Sequence, residues 1–543
     1  MRKLLAGILA IMMVLSLCSF ASAAEKPITV TVFRGDPGDQ PASDNKIYKL
    51  IEEEFGIKFE IEFLAGDLNE TLGTKIMGED YADLMDGANS AEKLINAGAL
   101  IDLMPYISAE KTPNLYAHIQ KIPNFEAQYL NENGELFIIP NYGINYNEKI
   151  ILNPNGPAFY IQKQVLAWDN YPQIKTLDQY FDLIERFLAA NPTDKNGAAY
   201  EGFAILCEDW RHFCLINPVQ HLMGQPNEGE VFINRETAEV ETFIDKDYAK
   251  PYYKKLNEIY KKGLINKDTF VMSYDQYIAK LSAGTVLAMF DQGWDFDPAT
   301  AALKANGMYE NTYIALPLVY DESYGFGAIS EQYLNGDVIN KNRGFGISIN
   351  CEYPERLVQL MDGLLSDKWQ KILQWGIEGE DYTVTAEGRM IKTQQQLDNR
   401  NDASWKMKNS AATIWESMPK KQGTMDDGNS WDPALQAEMY FELMDDYDKA
   451  FFGAYGYTSP YDFFNAPCEL AAWGEAWQID TTPIVDDNND FLLIQDQWLP
   501  KIIMSADDAA FDANWAAFVK EIGPSAKVKT EFMQAEINKL IGK

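Results

Sequence analysis

Trp294 stands between Asp291 and Asp295, after the apolar run 286–290, in a chain that holds 12 tryptophans and 29 tyrosines. A flat indole offers broad contact to an apolar C–H face, while neighbouring carboxylates accept hydrogen bonds from hydroxyls. Together these groups suit a sugar, which has an apolar ring face and a polar rim. Trp210 lies in a polar stretch, Glu208-Asp209-Trp210-Arg211, that reads as a loop, and Trp431 is set similarly within Gly428-Asn429-Ser430-Trp431-Asp432. Trp473 and Trp477 are four apart on an expected helix. That is the spacing of a packed face, which assigns both to core.

A second constellation follows the clearest helix of the chain. Asn191-Pro192-Thr193-Asp194-Lys195-Asn196-Gly197, with Glu201 beyond it, spaces oxygen donors around a turn glycine. Calcium takes six to eight such oxygens, so Asp194, Asn196 and Glu201 are candidate ligands. Pro192 removes one carboxylate from the pattern, and a metal-free helix-ending turn is the alternative. No other cofactor is expected. The three histidines (His118, His212, His221) form no HExxH and no Cys/His zinc spacing. The chain has no GxSxG elbow, no Walker loop and no GxGxxG opening a helix. No catalytic residue is assigned, although a carboxylate pair of the glycosidase kind is not readable from spacing.

Residues 1–23 read as an export signal. Arg2 and Lys3 precede the apolar run 4–17, and Ala21-Ser22-Ala23 supplies a small-x-small cleavage site. Leu15-Ser16-Leu17-Cys18 resembles a lipobox, which would acylate Cys18, but Leu17 stands where a small residue belongs. Cleavage before Ala24 is therefore expected, giving a secreted or envelope-associated protein with no transmembrane segment. The net charge is −35, from 81 acidic and 46 basic residues. A surface that acidic repels nucleic acid and anionic lipid. A chain of 543 residues, 46% hydrophobic, carries more than one core. Cys207 and Cys214 are the only cysteines close enough in sequence to suggest a disulfide.

Several elements must position these groups. The run 28–33 (ITVTVF) reads as a strand, and a Gly/Pro-bearing loop follows. Asp44 is the expected N-cap of a helix with Ile47, Leu50 and Ile51 on one face, and 57–63 alternates as a strand. Strand, helix, strand is the βαβ unit of an α/β sheet, whose ligands sit at the carboxyl ends of strands. That makes 34–40, beginning with Arg34, a candidate ligand loop, with a solvated turn as the alternative. Further on, 91–98 is an expected helix and 133–140 a turn and strand. Thr176 caps a helix whose Leu177, Tyr180, Phe181, Ile184, Phe187 and Leu188 form one core stripe. The runs 286–290 and 345–349 are expected strands, 355–374 one helix, and Asp486 to Asp490 a solvated loop.

The chain resembles the extracellular solute-binding proteins of carbohydrate ABC importers, the large oligosaccharide-binding kind of Gram-positive bacteria. The resemblance rests on INAGALIDLMPYI (95–107), NGELFIIP (133–140), AGTVLAMFDQGW (283–294), WGIEGEDYT (375–383) and LPKII (499–503) with Phe511, Asp512 and Trp515. These landmarks follow the family's order through most of the chain, and Gly-Ile-Glu-Gly is the most specific. Ile161-Gln162-Lys163-Gln164-Val165 departs from the Arg-Asp-Trp that members often carry there. What the resemblance implies is a two-lobed α/β periplasmic-binding-protein fold of type II, with hinge strands and an interlobe ligand cleft. The lobes would be 24–150 with 298–347, and 151–297 with 348–543. It implies a monomer without enzymatic activity that delivers an oligosaccharide to ABC permease subunits, and it places a ligand-stacking tryptophan at Trp294. The loop at Asp194 is similar to a calcium loop of some members. The alternatives are a peptide or other polar-solute binder of the same fold, or a secreted glycan hydrolase.

Overall fold

The computed structural model describes residues 26–122, 125–141, 143–152, 154, 156–320, 343–399, 402–465 and 471–543. The expected signal, Cys18 and the 321–342 part of the expected first lobe lie outside them. Contacts group the chain into two compact units. The first comprises Met1–Ile122, Tyr129–Lys149 and Ile339–Ala434; the second comprises Pro123–Gln128, Ile150–Val338 and Leu435–Lys543.

The first unit is built on a five-stranded sheet ordered Ile57–Phe63, Ile28–Arg34, Leu84–Asp86, Gly344–Ile347, Ile139–Pro140. The first three strands are parallel, with Ile28 opposite Ile57 and Val32 opposite Leu84. Gly344–Ile347 runs antiparallel to Leu84–Asp86. The expected βαβ unit is present. Its helix, Lys46–Phe55, is capped one residue later than expected: the Asn45 side chain accepts from Ile47 N at 2.9 Å and Tyr48 N at 3.1 Å. Ile47 and Ile51 turn inward, and Phe33, Leu72, Met85 and Leu94 form a core on the sheet.

The expected single helix over 355–374 is two helices, Pro354–Leu364 and Asp367–Trp375, divided at Ser366, whose side chain caps the second. Gly376 ends it at φ 90°, where a Cβ would fall 2.4 Å from the Asp381 carboxylate. That carboxylate accepts from Ile377 N at 2.8 Å and pairs with Lys46 at 2.6 Å. Gly-Ile-Glu-Gly is thus a glycine-dependent turn that ties the helix end to Lys46–Phe55.

The second unit holds a three-stranded antiparallel sheet ordered Tyr313–Leu316, Pro157–Gln162, Ala288–Gln292. The helix Leu177–Ala190 has the Thr176–Gln179 capping box and buries Tyr180, Phe181, Ile184 and Phe187. This matches the apolar stripe, with Leu188 packed at its margin. Two long helices, Val485–Ile503 and Asp508–Leu540, pair with each other. The acidic cluster at 486–490 is the start of the former rather than a loop, since carboxylates are favoured at a helix N-terminus. A second core contains Val231, Trp473, Ala476, Met533 and Ile537. At its edge the buried Glu228 accepts from Trp473 Nε1 at 3.2 Å and Ala476 N at 2.8 Å. Burial pushes Glu228 up to about 7, and burial beside Glu228 pushes Glu475 up to about 8. Trp477 is 43% exposed, so only Trp473 is core.

The units divide the sequence differently from the expected lobes. Residues 348–434 belong with the first unit, because Arg356 donates to the Phe55 carbonyl at 3.1 Å and Asp362 accepts from Leu115 N at 2.8 Å. The described residues 298–320 belong with the second, where Tyr313–Leu316 extends the sheet. Among the described residues no helix is long and apolar enough to cross a membrane.

Candidate functional site

In the second unit the Ala288–Gln292 strand carries the chain to Trp294, whose indole N–H donates to Gln292 Oε1 at 2.9 Å. Trp210 sits in the short turn Asp209–His212, entered through Asp209 at φ 52°, a left-handed conformation that Asp tolerates. The two indoles, 84 positions apart, stack with centroids 5.7 Å apart at 14°. Trp210 remains 57% exposed and Trp294 42%. Phe213 extends the stack at 5.9 Å. The Arg211 guanidinium lies 4.4 Å from the Trp210 ring and 3.8 Å from the Tyr274 ring, and its Nε meets Asp295 at 3.0 Å. Tyr274 Oη donates to the Asp295 carbonyl at 2.6 Å. The result is an exposed aromatic platform braced beneath by a shielded ion pair.

Asp291 does not belong to that surface. It is fully buried and accepts from Tyr277 Oη at 2.7 Å, Gln292 N at 2.7 Å and the Cys214 thiol at 3.6 Å. Burial, then the charge of Asp295, pushes it up to about 7. Its place on the Ala288–Gln292 strand, rather than in the turn that follows, turns it inward as a support. Cys207 and Cys214, the pair whose spacing left a disulfide open, are free thiols.

Trp431, expected in an exposed loop, is buried too. It is 3% exposed, 5.4 Å from Lys421 Nζ, in a turn that the Trp375 indole reaches by donating to the Ser430 carbonyl at 2.9 Å. A ring packed on all sides offers no stacking face.

In the first unit Arg34 ends the Ile28–Arg34 strand, as the carboxyl-end rule expects, but it is 3% exposed and engaged within the unit. It pairs with Asp86 at 3.2 Å and Glu416 at 3.1 Å, and donates to the Thr413 carbonyl. It therefore anchors one wall of an open recess of about 380 Å3, also lined by Asp36, Arg343, Glu416, Lys420 and Gln422. Sequence reasoning missed these partners. Arg343 and Glu416 stand more than three hundred positions from Arg34 with no local motif, whereas Arg211, beside Trp210, was adjacent to a candidate.

The calcium expectation does not fit. Asp194 already accepts from Asn196 N at 2.9 Å, Ala198 N at 2.7 Å and Asn196 Nδ2 at 3.3 Å, and these bonds hold its carboxyl below the usual range. Glu201 turns to Lys280 at 3.1 Å, which also meets Asp268 at 3.3 Å. Among the described residues no group of three His, Cys, Asp or Glu side chains could hold a metal. The loop is a self-closed turn, and an ammonium neutralises the carboxylate assigned to the ion.

Comparison with known proteins places the chain in a family. The sequence profile described as bacterial extracellular solute-binding protein matches residues 46–374. No curated protein matches the chain. Among solved structures, the fold is similar to an HMO-binding, ABC-transporter-associated solute-binding protein from Bifidobacterium longum infantis (TM-score 0.69, 14% identity, 96% of this chain and 100% of that one). It is similar to the substrate-binding protein FusA of S. pneumoniae in complex with kestose (TM-score 0.61, 16% identity, 94% and 99%). It is also similar to the N-glycan transport solute-binding protein NgtS from Streptococcus pneumoniae (TM-score 0.56, 16% identity, 95% and 100%).

Proposed function

Because the chain belongs to the bacterial extracellular solute-binding proteins, solute-capture components of ABC transporters rather than enzymes, we propose that its solute is an oligosaccharide handed to ABC permease subunits. The observation that carries this reading is the Trp210–Trp294 pair, two exposed and nearly parallel indoles held in place by the sheet, Gln292 and the Arg211–Asp295 ion pair. Exposing two indoles is costly unless something covers them, and a pyranose face is an apt cover because its C–H groups meet the ring while its hydroxyls stay at the edge. The proteins of similar fold named above for HMO binding, kestose and N-glycan transport support a carbohydrate over a peptide. A peptide binder would instead offer a free charge for a terminus, whereas Arg211 is already committed to Asp295.

A thermal-shift screen of the mature protein tests this. A ligand at about 100 times its Kd adds about 2.7 kcal/mol to stability. Glycans, and not peptides, are expected to raise the melting temperature. A peptide response with no glycan response refutes the carbohydrate assignment.

A further inference from the structure

The recess in the first unit has a charge arrangement that bears on which glycans the protein accepts, a selectivity that presupposes the oligosaccharide ligand proposed above. Its three cations are already matched from within. Arg343 faces Asp36 with both terminal nitrogens, at 2.5 and 3.5 Å. Arg34 is held by Asp86, Glu416 and the Thr413 carbonyl. Lys420 donates to the carbonyls of Asn141 at 3.1 Å, Glu416 at 3.1 Å and Met418 at 3.0 Å, which uses all three ammonium protons. Burial also brings Lys420 down to about 7, so part of its charge is absent at neutral pH.

What the recess keeps for a visitor is of the other kind. The side chains of Asp36 and Glu416 are 38% and 61% exposed, and each carboxylate has acceptor sites left over. Gln422, exposed, lies flat across Gly143, where a Cβ would fall 2.1 Å from its Cδ. Its amide adds a neutral donor and acceptor. Asn141 at the wall is turned to the protein, its Nδ2 donating to the Glu416 carbonyl at 2.7 Å. A volume of 380 Å3 corresponds to about a dozen waters at their liquid share, room for one sugar ring.

We propose that this recess receives an uncharged, hydroxyl-bearing sugar unit and discriminates against units bearing a carboxylate, such as uronic acids. Hydroxyls donate to Asp36, Glu416 and the Gln422 amide oxygen without adding charge. A sugar carboxylate would face two exposed carboxylates, and could reach a cation only by breaking an internal pair. Specificity then comes from what the recess repels as well as from what it binds.

The test uses pairs of oligosaccharides that differ only at one C6, hydroxymethyl in one member and carboxylate in the other. Titration of the full mature chain should show the neutral member binding at least tenfold more tightly. Glu416→Gln, which keeps an acceptor for Arg34 and is checked by its melting curve, should weaken the neutral member several-fold and narrow the gap to the acid. Gln422→Ala should weaken the neutral member without narrowing that gap. Tighter binding of the acid member overturns the proposal. It also falls if Trp294→Ala abolishes glycan binding while Asp36→Asn, Glu416→Gln and Gln422→Ala all leave it unchanged; the carbohydrate reading then stands without the recess. No response to any glycan defeats both.

Discussion

Replacing Trp294 by alanine removes the better-held half of the aromatic platform. The ring is 42% exposed. Taking about 200–250 Å2 as the full contact area of a tryptophan leaves roughly 90 Å2 for a ligand to cover. At about 25 cal/mol per Å2 that is about 2 kcal/mol, and the loss of oriented stacking adds at least about 0.5 kcal/mol. Each 1.4 kcal/mol is tenfold in affinity, so Kd for the cognate glycan should rise roughly thirty- to a hundredfold. The fold should change little. The indole gives up one hydrogen bond to Gln292 and its contact with Trp210, both at the surface. Calorimetric titration of Trp294→Ala, beside its melting curve, decides the matter. An unchanged Kd refutes the reasoning outright, and a melting temperature lowered by ten degrees or more would show the ring to be structural.

Two further outcomes are expected from the charges inside the second unit. Chelator and added calcium should both leave the melting temperature unchanged, while Lys280→Met should lower stability by about 1–3 kcal/mol, because Glu201, 7% exposed, would keep a buried and unmatched carboxylate; a chelator-sensitive wild type would restore the metal. Asp291 and Glu228 at about 7 and Glu475 at about 8 hold protons in the folded state that the unfolded chain has lost above about 4.5. Their stabilising contribution is complete below the unfolded values and is lost as pH rises through the folded ones, at up to about 1.4 kcal/mol per pH unit for each group. His118 and His221, lowered to about 3 by burial, act only below about pH 6.5, and Lys420 opposes the loss only above about 7. Melting temperatures should therefore fall between pH 6.5 and 8, and Glu475→Gln should flatten that fall; a rise over the same interval contradicts the assignment.

Much of the fold is legible because its signals are local. Thr176 and Gln179 form both halves of their capping box, and the apolar stripe behind them is buried as its period requires. The parallel pairing of 28–34 with 57–63 follows from two β-rich runs about one helix apart. Lobe boundaries are less legible, because no residue near 348 announces which sheet its chain will join. That choice is made by Gly344–Ile347 pairing with Leu84–Asp86, and by Asp362 reaching the backbone of Leu115, across more than two hundred positions.

The site exposes a different limit. Trp210 and Trp431 both stand among polar neighbours, Glu208, Asp209 and Arg211 for the one and Asn429, Ser430 and Asp432 for the other, and both settings read as exposed loops. The reading holds for Trp210, because Asp209 turns the chain outward and Arg211 folds back under the ring to find Asp295. It fails for Trp431, because the polar neighbours are spent inside the protein. Asn429 Oδ1 accepts from Met390 N at 2.9 Å and its Nδ2 donates to the Gly388 carbonyl at 3.0 Å, joining the Trp431 turn to 388–390. Polar residues in a loop satisfy backbone groups as readily as they meet water. Flanking polarity therefore identifies a turn but leaves the direction of its aromatic side chain open. That direction is set by distant partners, Asp295 for one indole and Met390 with Gly388 for the other, and only the folded chain brings them near.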